Sequence, residues 1–418
     1  MTLLDRHLAW EAMERLGGCP GGLLTAFPVH EGDAFLWETF DFRMLVDGGR
    51  KPDQIIDFLR GHCESHVKIN VVACTHNDAD HAHGLIGLLG DPSIEIGEIW
   101  LPAEFCDSLI ESKRVGVDET LQILRKGIPV AFEPMTALDL DSDVGLPTRQ
   151  PATARHQRDD GIRSAVHEAP EDDEPDATLL PDELGEQAER VLTVLASPQA
   201  TRGGRARRGF SKAHAVDAMK NIASIAKLAW QRRIPIVWLR AENPAPTRCF
   251  SRYGVEVLNA TPIARTPPRG IILDRLLALT TQNERALVLR VGISCQLDPG
   301  QCSRALFCSD SRLSFEGGVI DTNVFTAPHH GSDANDSAYR HLPLGALAIR
   351  SDRRMSSGGE RPSAGFLAHE RRMCTRCRGS DATQTVRVWL TCHGHWAPAR
   401  HCLCVPLGGP TGSSTNRS

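Results

Sequence analysis

Residues 67–84 read VKINVVACTHNDADHAHG, and this stretch decides the fold. Its first part, 67–74, is a largely apolar run of strand length, which predicts a buried β-strand. HGLIGLLG at 83–90 then predicts a helix. Metal ions need several N or O donors that converge about 2.0–2.2 Å from zinc, and a tight loop after a buried strand can supply them. The loop between strand and helix offers four such ligands: His76, Asp78, Asp80 and His81.

This loop resembles the His-x-His-x-Asp-His motif of the metallo-β-lactamase fold superfamily, with Asp78 in place of the second His. The variant is most similar to the soluble hydrolase domain of the DNA-uptake competence channel family. Two later segments agree with it, LFCSD at 306–310 and APHHGS at 327–332, and Val46-Asp47-Gly48-Gly49 matches the opening hairpin of the family. The resemblance covers about residues 23–105 and 235–350.

The resemblance implies an α/β fold, a four-layer αββα metallo-β-lactamase sandwich, with one or two divalent ions at one edge. It assigns His76 and Asp78 to a first ion, and Asp310 as a bridge between two ions. Asp80, His81 and one of His329 and His330 belong to the second ion. We do not expect His83 to be a ligand.

One expected ligand is missing, because Asn283 stands where most of the superfamily has a further His. The first site then keeps His76 and Asp78 but loses an imidazole. Oxygen-rich sites favour Mn²⁺ or Mg²⁺ over Zn²⁺. The alternative is weaker occupancy of the first site, so Zn and Mn both remain open as the metal.

The site chemistry predicts hydrolysis, since a bound divalent ion lowers the pKa of water from about 15.7 towards about 7. We expect Asp80 to ligate an ion and orient the nucleophile, and His330 or His329 to donate a hydrogen bond to the substrate. By resemblance the reaction is phosphodiester cleavage, by a nuclease or a nucleotide phosphodiesterase. A small-ester or lactone hydrolase and a non-catalytic partner-binding module with a degenerate site are the alternatives.

The composition restricts the possible partners. Of 418 residues, 41% are hydrophobic and 24% charged, which is typical of globular proteins and excludes a wholly disordered or collagenous chain. Because the protein has a net charge of −5, it can bind nucleic acid only through a local basic patch. The basic loop at 201–209 is one candidate for such a patch, and the alternative is that this loop is a solvated linker. The sequence contains no signal peptide pattern and no apolar run of about 18 residues, so we expect a cytoplasmic protein without membrane contact.

Alternating strands and helices predict four segments. Residues 1–139 and 233–369 form the two halves of the metallo-β-lactamase fold. Between them, 140–232 is an insertion, disordered at first and then helical, through which a protein partner can bind. Residues 370–418 form a Cys/His-rich zinc-binding element with a flexible tail.

The zinc element rests on a C-x2-C pair followed by further Cys and His residues, a pattern typical of structural zinc. His401 or Cys404 can replace either of the last two ligands, and reduced surface thiols or a redox-active pair are the alternatives. The favoured ligand set is Cys374, Cys377, Cys392 and Cys402.

Overall fold

A computed structural model describes residues 21–63, 66–105, 188–193, 212–242, 250–263, 286–294, 302–315, 318–351, 362–377, 383–391 and 394–396. Within these ranges the chain is mixed α/β, as predicted, with two mixed sheets and several helices. No helix in the described ranges combines the length and the apolar character needed to cross a bilayer.

The strands fall into two sheets. In chain order they are β1 (Gly22–Ala26), β2 (Phe35–Glu38), β3 (Arg43–Val46), β4 (Val67–Ala73), β5 (Ile94–Pro102), β6 (Ile236–Ala241), β7 (Phe250–Arg252), β8 (Val255–Val257), β9 (Ala260–Pro262), β10 (Leu289–Ser294), β11 (Cys302–Phe307), β12 (Val324–Thr326), β13 (Leu347–Arg350), β14 (Arg372–Cys374), β15 (Val386–Thr391) and β16 (Gly394–Trp396). Among the described residues, the nine-stranded sheet has the order β16-β15-β1-β2-β3-β4-β5-β6-β9, and the seven-stranded sheet has the order β14-β13-β12-β11-β10-β8-β7.

The helices are α1 (Pro52–Cys63), α2 (Ala79–Gly90), α3 (Lys212–Gln231) and α4 (Ala364–Ala368), with 3₁₀ segments at Pro328–Gly331 and Asp333–His341. The ends of α1 follow from its sequence. Pro52 begins the helix, Asp53 lies in its first turn, and Arg60 and His62 lie in its last turn, where they complement the helix dipole.

Side chains alternate between the two faces of the nine-stranded sheet. Leu36 and Leu45 point to one face and share a buried cluster with Ile55 of α1, Leu85 of α2 and Ile222 of α3. These helices therefore cover that face.

A second buried cluster joins the two sheets. Trp37 and Met44 of the nine-stranded sheet share it with Val324 and Ile349 of the seven-stranded sheet. The rings of Phe35 and Phe307 also meet across the cluster, with centroids 6.0 Å apart. The two sheets are thus held together by apolar side chains.

The other face of the seven-stranded sheet is covered by the segments that follow its strands. Phe325 and Ala348 of the sheet pack in a third buried cluster with Tyr339 and with Phe366 of α4. Successive layers of helices, sheet, sheet and helical segments result.

The strand predicted at 67–74 and the helix predicted at 83–90 are found, with shifted ends. Helix α2 begins at Ala79, four residues before the predicted start, so Asp80 and His81 lie in its first turn and not in a loop. Helix–strand boundaries depend on tertiary contacts and are the least certain feature of a sequence pattern.

Two of the predicted segments contain elements that pack on or pair with the sheets. Helix α3 falls within 140–232, yet it packs on the nine-stranded sheet beside α1 and α2. Strand β14 belongs to the seven-stranded sheet, and β15 pairs with β1. The described strands after 370 therefore join both sheets, and the apolar alternation of β15 (Val386, Val388, Leu390) suits the core between the sheets.

Candidate metal centre

The carboxyl ends of strands from both sheets meet at one edge of the molecule. Strand β4 leads into the loop with His76, while β11 and β12 lead to Asp310 and to His329. These residues are distant in sequence, but His81 Nε2 lies 3.5 Å from Asp310 Oδ1. Open α/β sheets bind their ligands at such edges.

The two oxygens of Asp310 face different imidazoles. Oδ1 lies 3.5 Å from His81 Nε2 and 3.6 Å from His330 Nε2. Oδ2 lies 3.6 Å from His76 Nε2 and 3.5 Å from His329 Nε2. Asp310 therefore divides four imidazoles into two pairs.

These separations fit metal ions better than hydrogen bonds. Protein hydrogen bonds to nitrogen are usually about 2.7–3.2 Å long, whereas two donors each about 2.1 Å from one ion at tetrahedral angles lie roughly 3.4 Å apart. The Nε2 atoms of His76, His81 and His330 are buried and have no hydrogen-bond partner among the described residues. An unmet buried donor set of this kind is a site that a cation would satisfy.

Among the residues that the structure describes, two groups of donor atoms, each with all members within 4.8 Å of one another, could hold a metal ion. The first contains Asp33, His81, Asp310 and His330. The second contains His76, Asp78 and Asp310.

Carboxylates fix the rings of His81 and His330. Asp47 Oδ2 accepts a hydrogen bond from His81 Nδ1 at 2.8 Å, and Asp33 Oδ1 accepts one from His330 Nδ1 at 3.0 Å. With the proton held on Nδ1, the lone pair of Nε2 is directed towards Asp310. Carboxylates behind metal-binding imidazoles act in this way and raise the basicity of the ligand.

Hydroxyl groups, not carboxylates, contact the Nδ1 atom of His76. Thr75 Oγ1 lies 3.1 Å and Ser309 Oγ 3.3 Å from it. Thr75 Oγ1 donates to Asp47 Oδ2 at 2.7 Å, so it accepts the proton of Ser309 Oγ at 2.6 Å. Both hydroxyl oxygens then have lone pairs for a proton on His76 Nδ1, which again leaves Nε2 unprotonated.

Local structure explains how the nine-stranded sheet positions its residues. Asp78 occupies the N-cap position of α2, yet its side chain makes no capping hydrogen bond and lies 3.7 Å from His76 Nε2. Gly48 donates to the carbonyl of His81 at 2.9 Å. A Cβ on Gly84 would lie only 1.9 Å from Gly48 O. The two glycines thus let the hairpin that carries Asp47 lie against the first turn of α2.

The turns of the seven-stranded sheet are strained where they carry ligands. Ser309, His329 and His330 have φ angles of 49°, 48° and 54°, in the left-handed region that non-glycine residues rarely adopt. Strain of this kind persists only where surrounding contacts hold it, and it concentrates at functional sites. Asp47, at φ 58°, shares this conformation.

The buried charges shift one another's pKa values. Burial would raise the pKa of Asp310, but the charges of His330 and His81 outweigh it and hold this pKa well below its usual value. Burial would likewise lower the pKa of His81, yet Asp47 and Asp310 raise it well above its usual value. The pKa of His330 is raised in the same way by Asp33 and Asp310. The buried carboxylates therefore stabilise positive charge at the imidazoles, and metal ions can supply this charge in place of protons.

One side of the cluster is open to solvent. The side chains of Asp78 and Asp80 are 50% and 32% exposed, and that of His329 is 29% exposed. Asp80 Oδ2 also lies 3.4 Å from His330 Nε2. Solvent therefore reaches the cluster from the side of these three residues.

The structure thus brings together the predicted ligands of both sheets and adds two residues that sequence reasoning missed, Asp33 and Ser309. His83, which we did not expect to be a ligand, donates a hydrogen bond from Nε2 to Asn221 Oδ1 at 2.9 Å. Ser332 Oγ accepts a hydrogen bond from Ala334 N at 3.2 Å and caps the 3₁₀ segment that begins at Asp333.

Cys374 and Cys377 are buried, and Cys374 ends β14. Both lie in the apolar cluster on the outer face of the seven-stranded sheet. Zinc binding by this pair stays a prediction. The remaining sequence candidates lie outside the described residues: Cys392, Cys402, His401, Cys404, Asn283, the basic loop at 201–209 and the acidic part of the insertion.

Compared with protein-family models and with curated proteins, the chain gives no match.

Proposed function

We propose that the protein is a metal-dependent hydrolase with a metallo-β-lactamase-type αββα sandwich, and that it cleaves phosphodiesters. The observation that carries the proposal is the position of Asp310, with one carboxylate oxygen facing each of two imidazole pairs. A carboxylate between two groups of donors is the arrangement of a two-metal hydrolase.

The architecture supports the fold assignment. Two sheets share one apolar core, helices cover the outer face of one sheet, and helical segments cover the other. The predicted ligands follow β4, β11 and β12 at a single edge, as the resemblance to the superfamily implies.

We assign two ion positions. The inner position comprises His81, His330 and Asp310 Oδ1 of the first donor group, to which we add Asp80, 3.4 Å from His330 Nε2, while Asp33 holds His330 from behind. The outer position comprises His76, Asp78 and Asp310 Oδ2 of the second donor group, to which we add His329, 3.5 Å from Asp310 Oδ2. His329 gives the outer position a second imidazole, which compensates for Asn283. Both predicted candidates of the His-His pair then serve as ligands.

The charge of the site favours an anionic substrate only when cations are bound. Asp33 and Asp47 lie behind His330 and His81, and Asp78, Asp80 and Asp310 add three further carboxylates, so the bare cluster repels a phosphate group. Divalent ions in such a site neutralise the carboxylates, polarise a phosphoryl oxygen and lower the pKa of water to about 7.

The residues of the chain orient the reaction. Asp80 is partly exposed on the open side, and His330 and His81 lower its pKa against the effect of burial, so it stays ionised. An ionised carboxylate there accepts a hydrogen bond from an attacking water and fixes its direction. Because both nitrogens of His330 face carboxylates, we assign His330 to ligation and not to proton donation.

The test uses the full chain, stripped of metal with a chelator and reloaded with Mn²⁺, Zn²⁺ or Mg²⁺. We expect metal-dependent cleavage of single-stranded DNA, RNA or bis(p-nitrophenyl) phosphate. Asp80→Asn should lower the rate by about 10²-fold or more, because the group both ligates and orients. Asp57→Asn, on the exposed face of α1, is the matched control and should be as active as the native chain.

Two outcomes would overturn the proposal. Cleavage of p-nitrophenyl acetate or a lactone without cleavage of any phosphodiester would favour an ester hydrolase. If no ion binds and Asp80→Asn behaves like the native chain, the protein is a non-catalytic partner-binding module.

A further inference from the structure

The inner and outer positions differ in what lies behind their imidazoles. At the inner position, both His81 and His330 donate from Nδ1 to a buried carboxylate, at 2.8 and 3.0 Å. At the outer position, His76 Nδ1 faces only hydroxyl oxygens among the described residues, at 3.1 and 3.3 Å. The Nδ1 atom of His329, the other imidazole of the outer position, has no hydrogen-bond partner among the described residues.

This difference changes the strength of the ligands. A carboxylate behind an imidazole fixes the ring and raises its basicity, and loss of such a partner typically costs about 10–100-fold in metal affinity. The inner position has two of these partners, Asp47 and Asp33, whereas a neutral hydroxyl supplies no charge to His76. The inner ligands should therefore bind a divalent ion more tightly.

Solvent exposure acts in the same direction. At the inner position the side chains of His81, His330 and Asp80 are 0%, 11% and 32% exposed, whereas at the outer position those of His76, His329 and Asp78 are 1%, 29% and 50% exposed. Attraction between charges is stronger where water is excluded, so the ion is held less firmly on the exposed side. Gly32 contributes to the enclosure, since a Cβ there would lie 1.6 Å from Asp80 O.

We propose that the two positions fill in order, the inner one with a retained ion and the outer one with an ion that exchanges with free metal in solution. The proposal rests on the proposed function, since it uses the same ligands. It makes hydrolysis depend on the concentration of free divalent metal, through the outer position alone.

The experiment is a titration of the metal-free full chain with Mn²⁺. Binding is measured by calorimetry and by the electron paramagnetic resonance signal of the Mn²⁺ that stays free. We expect two binding steps whose dissociation constants differ by at least about tenfold, the lower limit for a single carboxylate partner. Two steps that differ by less than about threefold would overturn the proposal.

Two variants assign the steps. Asp33→Asn keeps the shape of the side chain but removes its charge, and should weaken the tight step by about 10–100-fold. Ser309→Ala removes a contact of His76, and should leave the tight step unchanged while weakening the loose one. If Ser309→Ala instead weakens the tight step, or Asp33→Asn spares it, the order is wrong. Thermal unfolding of each metal-free variant shows whether the fold is retained.

The outcomes separate this inference from the proposed function. Two unequal steps without hydrolysis of any phosphodiester would support the order of binding and overturn the function. Two equal steps with hydrolysis would do the reverse. Absence of any bound Mn²⁺ would overturn both.

Discussion

The two sheets contribute to the candidate metal centre in different ways. The nine-stranded sheet supplies His76 and His81 on one short segment, where a buried strand passes directly into a helix. The seven-stranded sheet supplies Asp310 and His330 from two separate turns. In the first turn the left-handed residue is Ser309, next to Asp310, and in the second His330 itself is left-handed. Regular structure positions one half of the site, and strained turns position the other.

Neither sheet completes an ion position alone. Each position combines an oxygen of Asp310, from the seven-stranded sheet, with His81 or His76 from the nine-stranded sheet. A bound ion should therefore link the two sheets. The following predictions test this link from both sides.

Removal of the shared carboxylate should have the largest effect. Asp310→Ala deletes one ligand from each position, so we expect both Mn²⁺ binding steps and the hydrolytic rate to fall by more than about 100-fold. Asp333→Asn, an exposed carboxylate at the start of the 3₁₀ segment Asp333–His341, is the control and should leave both steps intact. Retention of either step at native affinity in Asp310→Ala would show that Asp310 is not shared.

Metal should stabilise the fold through the link between the sheets. An ion that binds only the folded chain adds about 2.7 kcal/mol to the free energy of unfolding when its concentration is 100 times its dissociation constant. We expect this gain for each ion in denaturant unfolding of the native chain. Asp310→Ala should show no comparable gain, and a gain of native size there would place the ions elsewhere.

The gain should depend on pH. Because the folded-state pKa values of His81 and His330 are raised, metal-free protein gains stability from them below about pH 6.5 and loses it as pH rises through the folded values. Metal displaces these protons, so its affinity should rise about tenfold per pH unit for each proton released. Unfolding with and without Mn²⁺ at pH 6 and pH 8 measures both trends, and a metal effect that shrinks with rising pH would contradict them.

The contrast between the sheets also explains what the sequence could predict. The strand, the ligands and the helix at 67–90 are contiguous, so hydrophobic pattern and residue type suffice to predict them. Asp33 lies 297 residues from His330, its hydrogen-bond partner, and nothing in its neighbourhood marks it as a carboxylate behind a ligand. Its role exists only in the fold.

The sequence likewise could not predict that His329 faces one oxygen of Asp310. We expected one of the two consecutive His residues to be a ligand, and the outer position to lose an imidazole. In the structure both residues have left-handed backbone, and their rings, 63° apart in plane, face different oxygens of Asp310. Such dihedral angles cannot be read from two His residues, because side-chain type does not specify a strained turn.

The smallest effect should come from the backbone of that turn. Gly331 has a φ angle of 79°, and a Cβ there would lie 2.9 Å from Arg350 Cδ. Gly331→Ala therefore adds a left-handed non-glycine residue to two that are already strained, at a cost of about 1–2 kcal/mol.

Gly345→Ala is the matched control, because no atom lies within 4 Å of its Cβ position and its φ angle is not positive. We expect only Gly331→Ala to lower the free energy of unfolding. If the turn holds His330 in place, the same variant should also weaken the tight Mn²⁺ step, whereas equal stability of the two variants would show that the turn is not under strain.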